Sequence, residues 1–194
     1  MDDKLIITLP EKKERADSVR NRRLLLDTAL RLFQQQGVAN VTMSEIAQAA
    51  QVGKGTLYRH FTDKGELIMA LLDSDMHDLQ ERVFAHLRQP CPAREKLAWF
   101  LETVGRYVIG HMALLDPQDG RPNVFLTHPA HYWWRHTIRG LLAQIPECED
   151  AEAVSDLLYI LLDVHALRYQ IDAQNRTEDE VVQRLRLAAA RLIA

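Results

Sequence analysis

The chain has 194 residues, an ordinary apolar content of 47% and a net charge of −3, which suits one or two soluble domains with a real core. Its two cysteines, Cys91 and Cys148, lie far apart without metal or redox spacing, and no apolar run is long enough to span a bilayer. These features exclude a disulfide scaffold and a membrane span, and with Met1 leading directly into Asp-Asp-Lys a cytoplasmic protein without a secretory leader is expected.

Residues 1–14 pair an apolar scrap, LIITLP, with the mixed charge of EKKER, and Pro10 argues for a loose arm. Lys12, Lys13 and Arg15 either trail along a nucleic-acid backbone or stay solvated; the two readings stand level. The first helix is predicted from Asp17 or Ser18 to Gln36, with Leu25, Leu26, Ala29, Leu32 and Phe33 as its stripe and Gly37 as its stop.

The stretch Thr42 to Glu66 reads as a helix-turn-helix. Thr42 caps a short helix with Glu45 in the capping-box position, and Ile46, Ala47 and Ala50 form its apolar face. A turn at Gln51, Val52 and Gly53 leads to a second helix from Lys54, whose inward stripe is Leu57 and Phe61. Asp63 then starts another helix, with Glu66 in the capping-box position. A helix of this kind fits the major groove of DNA, where short or flat polar side chains meet base edges and phosphates. The candidate DNA-binding residues are Thr42, Lys54, Gly55, Thr56, Tyr58, Arg59, His60 and Lys64. Between Lys12 and Lys64 ten Lys or Arg face five acids, so this segment carries about +5 and the remainder about −8. Binding through such a basic end should weaken as salt rises.

The ordered run of Arg22, Leu25, Ala29, Leu32, Phe33, Gly37, Thr42, Ile46, Ala47, Ala50, Val52, Lys54-Gly-Thr-Leu-Tyr58, His60, Phe61 and Lys64 resembles the DNA-binding domain of the tetracycline-repressor (TetR) family over roughly residues 20–70. Two positions depart from the family pattern: Gln51 stands where Gly is usual at the turn, and Gly53 where Ser is usual at the cap. A left-handed residue other than Gly costs about 1–2 kcal/mol, and Gly caps almost as well as Ser.

A long helix is predicted from Asp63 to about Arg88, near 35 Å at 1.5 Å per residue. Leu67 and Leu71 belong to the DNA-binding core, whereas Leu79, Val83, Phe84 and Leu87 lie turns away, so one rod is expected to link both halves. Further helices are predicted from Ala93 to about Ala113, from Pro129 to Ile145, from Ala151 to Ile171 and from Glu178 to Ile193, with a polar loop over Asp116 to Asn123. The segment Ala151 to Ile171 is apolar almost all round, as a helix buried on several sides would be.

The C-terminal half holds most of the aromatic residues, and pockets between helices are mainly apolar and aromatic. The candidate ligand-binding residues are Trp99, Phe100, Arg106, Tyr107, Phe125, His128, Trp133, Trp134, Tyr159 and Asp163, with ordinary core as the competing reading for any single aromatic. The resemblance implies that the last two helices pair with their copies in a homodimer, through Tyr159, Leu162, Ala166, Tyr169, Val181, Leu185, Ala188 and Leu192. No metal or cofactor is expected: Pro129 disturbs the spacing of His128 and His131, and His136 adds no ligand set. Asp163 and His165, two apart, diverge on a helix, so no catalytic dyad is expected.

The sequence therefore predicts an all-α fold with a flexible arm (1–14), a helix-turn-helix domain (15–65) and, joined by a long helix, a helical ligand-binding and dimerisation domain (66–194). The functional expectation is a homodimeric transcriptional repressor released from operator DNA by a small ligand. The alternative is a helical enzyme or a ligand-binding module that does not bind DNA.

Overall fold

A computed structural model describes residues 11–115 and 130–193, with the side chains of 11–16, Ser74, Ala130 and His131 outside the description. Every regular element among the described residues is helical. The chain divides after Leu71 into two compact units, so the first two turns of the long helix go with the N-terminal one.

In the N-terminal unit, α1 spans Glu11–Gln36, α2 Met43–Ala49 and α3 Lys54–His60, and α4 begins at Lys64. The helix α1 starts directly after Pro10, so residues 11–14 of the expected arm are its first turn; residues 1–10 lie outside the described residues. Proline breaks a helix that approaches from its N-terminal side but is compatible with one that begins beside it, and Glu, Lys, Arg and Ala all favour the helix that follows. The stripe Leu25, Leu26, Ala29, Leu32 and Phe33 is buried with Ile46, Ala47, Leu57, Phe61 and Leu67.

Local signals set the ends of these helices. The Thr42 hydroxyl accepts from the Glu45 N–H while the Glu45 carboxylate accepts from the Thr42 N–H, a closed capping box. At α4 the Asp63 carboxylate accepts from the Glu66 N–H, but Glu66 reaches back one residue further than expected, to the N–H and hydroxyl of Thr62. Between α2 and α3 the Val52 N–H donates to the Ala47 carbonyl and the Gln51 N–H to the Gln48 carbonyl, the paired bonds of a Schellman turn. Such a turn needs a left-handed residue just past the helix, and Gln51 supplies it at φ 54°.

In the C-terminal unit, α4 continues to Leu87, followed by α5 (Ala93–Gly110), α6 (Met112–Leu115), α7 (Ala130–Leu142), α8 (Ala151–Ile160), α9 (Val164–Arg168) and α10 (Glu178–Leu192). Helix α5 packs on α7, α9 and α10, and α7 packs on α8. The buried residues of α5 include Leu97, Phe100, Leu101, Val104 and Val108. At Gly105 a Cβ would lie 2.7 Å from Leu185, so the missing side chain lets α10 settle close against α5. Arg135 pairs with Asp156 and Glu152, and Arg139 with Glu152, which ties α7 to α8; Arg106 and Arg186 tie α5 to α10 through Glu102, Glu178 and Asp179.

Two expected helices are each divided. The fifth helix ends at Gly110, and a separate short turn, α6, follows His111. The segment Ala151 to Ile171 breaks after Ile160 and restarts at Val164, where the Asp163 side chain accepts from the N–H groups of His165 and Ala166. A π-helical turn, Tyr169–Ala173, follows. The apolar period continues across the break, which is why periodicity alone runs the two pieces together; the N-cap aspartate was the available signal.

Candidate DNA interface and effector grooves

The helix α3 is seven residues long and anchored by Leu57 and, at its C-cap, Phe61, both fully buried. That anchoring turns the rest of the helix outward: Lys54, Gly55, Tyr58 and Arg59 are exposed, with Tyr58 at 50%, and Thr56 and His60 are half-buried. One Arg59 N–H donates to the Thr56 hydroxyl at 3.3 Å, which keeps the guanidinium along the helix. Nothing lies within 4 Å of where a Gly55 Cβ would stand, and its φ is not in the left-handed region. Neither local packing nor backbone conformation therefore requires glycine there, although glycine inside a helix costs about 0.5–1 kcal/mol relative to alanine.

Two predicted contacts turn out to have internal duties. The Thr42 hydroxyl sits in the capping box, although it remains exposed. The Lys64 ammonium is half-buried and donates to the carbonyls of Val38 at 2.8 Å and Val41 at 3.1 Å. It closes the loop between α1 and α2 onto the start of α4, leaving one of its three N–H bonds for another acceptor. Sequence reasoning missed this latch because the two carbonyls lie more than twenty residues away. It also missed Arg22, whose guanidinium stands 5.2 Å from the centre of the Phe61 ring.

Electrostatics favour the cap geometry. The Thr42 N–H and hydroxyl hold the Glu45 carboxyl below its usual range, and the Thr62 N–H and hydroxyl do the same for Glu66.

The predicted ligand residues do not converge on one cavity. Phe100 and Trp134 are fully buried core, and Tyr107 is nearly so, its hydroxyl donating to the Leu72 carbonyl at 3.3 Å. Burial pushes the Tyr107 phenol well above its ordinary range. Arg106 is bound to Glu102, Glu178 and Asp179 at the surface, and Asp163 caps α9, so neither is aimed into a pocket. Trp133 is half-buried, edge-on to Phe84 and Phe100; Tyr159 is half-buried; Phe125 and His128 lie outside the described residues.

Three open grooves remain. One of about 790 Å³ is lined by His86, Cys91, Arg94, Trp99 and Arg186, with the His86 ring stacked on Trp99 at 3.7 Å. Two others, of about 560 and 400 Å³, share Arg82, Tyr107 and His111. The His111 ring lies 2.8 Å from Asp75 and stacks on Tyr107 at 4.2 Å. His86 and His111 were not singled out from the sequence, because only the packing of α5 beside α4 gives them aromatic partners.

The predicted dimer residues divide by burial. Leu162, Val181 and Leu185 are inside the protomer's own core, so they have no surface to offer a second copy, whereas Tyr159, Ala166 and Ala188 are half-buried and Tyr169 and Leu192 exposed. The bare apolar surface on α8 and α10 is instead Leu157 at 49%, Ile160 at 59% and Leu187 at 51%. Among the described residues no group of three or more histidines, cysteines or carboxylates could hold a metal ion, and no helix is long and apolar enough to cross a membrane.

Residues 25–71 match the family described as bacterial regulatory proteins, tetR family. Over 72 residues the chain is 42% identical to the HTH-type transcriptional regulator AcrR of Shigella flexneri, covering 36% of this chain and 34% of that protein. Over 103 residues it is 33% identical to an HTH-type transcriptional regulator of Staphylococcus aureus, covering 53% and 55%. The chain thus spans about a third to about half of the length of these curated relatives. Among solved structures, a TetR/AcrR-family transcriptional regulator from Thermobifida fusca superposes with TM-score 0.71 at 17% identity, covering 88% of this chain and 96% of that one. The regulator FadR of Bacillus subtilis, solved with stearoyl-CoA, gives 0.67 at 18%, covering 89% and 97%. At these identities the superpositions establish the fold.

Proposed function

We propose that this chain, a member of the TetR family by its N-terminal domain and its helical fold, is a sequence-specific DNA-binding transcriptional repressor that acts as a homodimer and is released by a small ligand. The observation that carries the reading is α3: a helix pinned by Leu57 and Phe61 that holds Gly55, Thr56, Tyr58 and Arg59 outward, with a glycine that neither packing nor backbone conformation requires. Close approach of backbone to phosphate accounts for that glycine, and the Tyr58 hydroxyl and Arg59 guanidinium supply donors beside it.

One α3 reads only a few base pairs, so affinity calls for two copies on successive major grooves. Leu157, Ile160 and Leu187, with Tyr169 and Leu192, offer the apolar surface for that pairing. A ligand releases the dimer from DNA only insofar as it binds the released arrangement more tightly. FadR was solved with stearoyl-CoA and a Saccharomonospora viridis regulator with choline, which supports a ligand for the C-terminal unit without fixing its chemistry.

The test is selection of bound fragments from random double-stranded DNA at two salt concentrations. Enrichment of a palindrome, with binding that weakens in salt, is expected; binding without sequence preference, or none, overturns the reading.

A further inference from the structure

The helix α1 is longer than its core requires. It runs for 26 residues, yet its first buried side chain is Leu25. From Asp17 to Leu24 every residue except half-buried Asn21 is exposed, with Val19 at 70% and Leu24 at 42%. Residues 11–24 therefore make almost four turns, about 20 Å of helix at 1.5 Å per residue, and no side chain described there is buried. Helical segments of this length are marginal in water without a packing partner.

The charges on that extension are sorted by face. At 100° per residue, Lys12, Lys13, Arg15, Arg20, Arg22 and Arg23 fall within one half of the helix, centred between positions 12 and 23. Glu11, Glu14 and Asp17 fall in the opposite half, three residues apart, near the helix N-terminus where negative charge is favoured. The basic half is joined to the helix-turn-helix through Arg22, whose guanidinium lies over Phe61 at the end of α3. A helix with a basic half, no packed partner and a direct link to the recognition helix complements a polyanion.

We propose that residues 11–24 are a second DNA-contacting element, a basic helix laid along operator phosphates outside the groove that α3 reads. This rests on the DNA-binding reading above and adds its own consequence: the extension contributes affinity and salt dependence but no sequence preference, since phosphate contacts position a protein without reading bases.

The test compares the full chain with the fourfold variant Lys12→Gln, Lys13→Gln, Arg20→Gln and Arg23→Gln, which keeps strong helix formers throughout. Affinity for the selected palindrome is measured from about 50 to 200 mM salt, with far-UV circular dichroism to check that helix content is unchanged. Each phosphate that the variant no longer neutralises flattens the slope of log affinity against log salt by about 0.9. With four fewer phosphates neutralised, the advantage of wild type over the variant shrinks about a hundredfold across that range. Both proteins should enrich the same palindrome. Equal slopes with unchanged helix content overturn the proposal, and so does a variant that selects a different sequence. If wild type itself selects no palindrome, the DNA-binding reading fails, and the two failures are distinct.

Discussion

Replacing Gln51 with Gly should stabilise the protein, and the size of the gain follows from the turn. Gln51 sits at φ 54° because the chain past α2 must place the Val52 N–H on the Ala47 carbonyl, at 2.9 Å, and the Gln51 N–H on the Gln48 carbonyl, at 3.0 Å. Those bonds are backbone bonds and survive the substitution. A side chain with a Cβ loses about 1–2 kcal/mol in the left-handed region, and glycine gives back about 0.4–1 kcal/mol through its freer unfolded chain. The net expectation is a gain of about 0.5–1 kcal/mol. For a chain of this size that is a rise of about 1–4 °C in Tm if it unfolds in one transition. Thermal and urea unfolding of Gln51→Gly measure it directly. Asn175 provides the internal control: it also lies at φ 53°, but asparagine tolerates that region better, so Asn175→Gly should gain less. A Gln51→Gly protein no more stable than wild type, or one that gains no more than Asn175→Gly, refutes the reasoning.

Four other outcomes are expected. Gly55→Ala should stabilise the free protein by about 0.5–1 kcal/mol while weakening operator binding, read by thermal unfolding and DNA titration on the same sample. Lys64→Met removes a cation from two carbonyl oxygens and should cost about 2 kcal/mol in urea unfolding, on the scale of hydrogen bonds to charged groups. Leu157→Glu combined with Ile160→Glu should yield folded monomers in sedimentation, with operator affinity lost together with the dimer. Glu45 and Glu66 have lowered folded pKa values, so their contribution is present above the unfolded carboxylate pKa and is lost as pH falls through the folded one. Acid unfolding of Glu45→Gln with Glu66→Gln should accordingly show a weaker pH dependence below about pH 4.3.

The N-terminal unit was legible in sequence because its instructions are local. The cap of α2, the left-handed position at Gln51 and the Leu57 and Phe61 anchors each rest on residues within a few positions of one another, and all stand as expected. The C-terminal unit was legible only as a set of apolar stripes. Val181 and Leu185 lie on one stripe of α10 and Leu192 continues it, yet the first two are buried in the protomer and the last is exposed. Period tells which residues share a face, and only the neighbouring helices decide what that face meets. Asp163 was read as a polar group in a pocket because its surroundings are apolar, when a rule as local as those of the N-terminal unit, aspartate just before a helix, already described it.

The burial of Leu162, Val181 and Leu185 within one chain separates folding from pairing. A protomer that closes its own core has no need of a partner to exist, so dilution should release intact monomers rather than unfolded chains. Operator occupancy would then depend on the abundance of the protein more steeply than linearly, since two finished copies must meet before both half-sites are held. Thermal stability measured over a range of protein concentrations would change far less than operator binding does. Gene control by such a molecule would have a threshold set by its own concentration, in addition to the one set by its ligand.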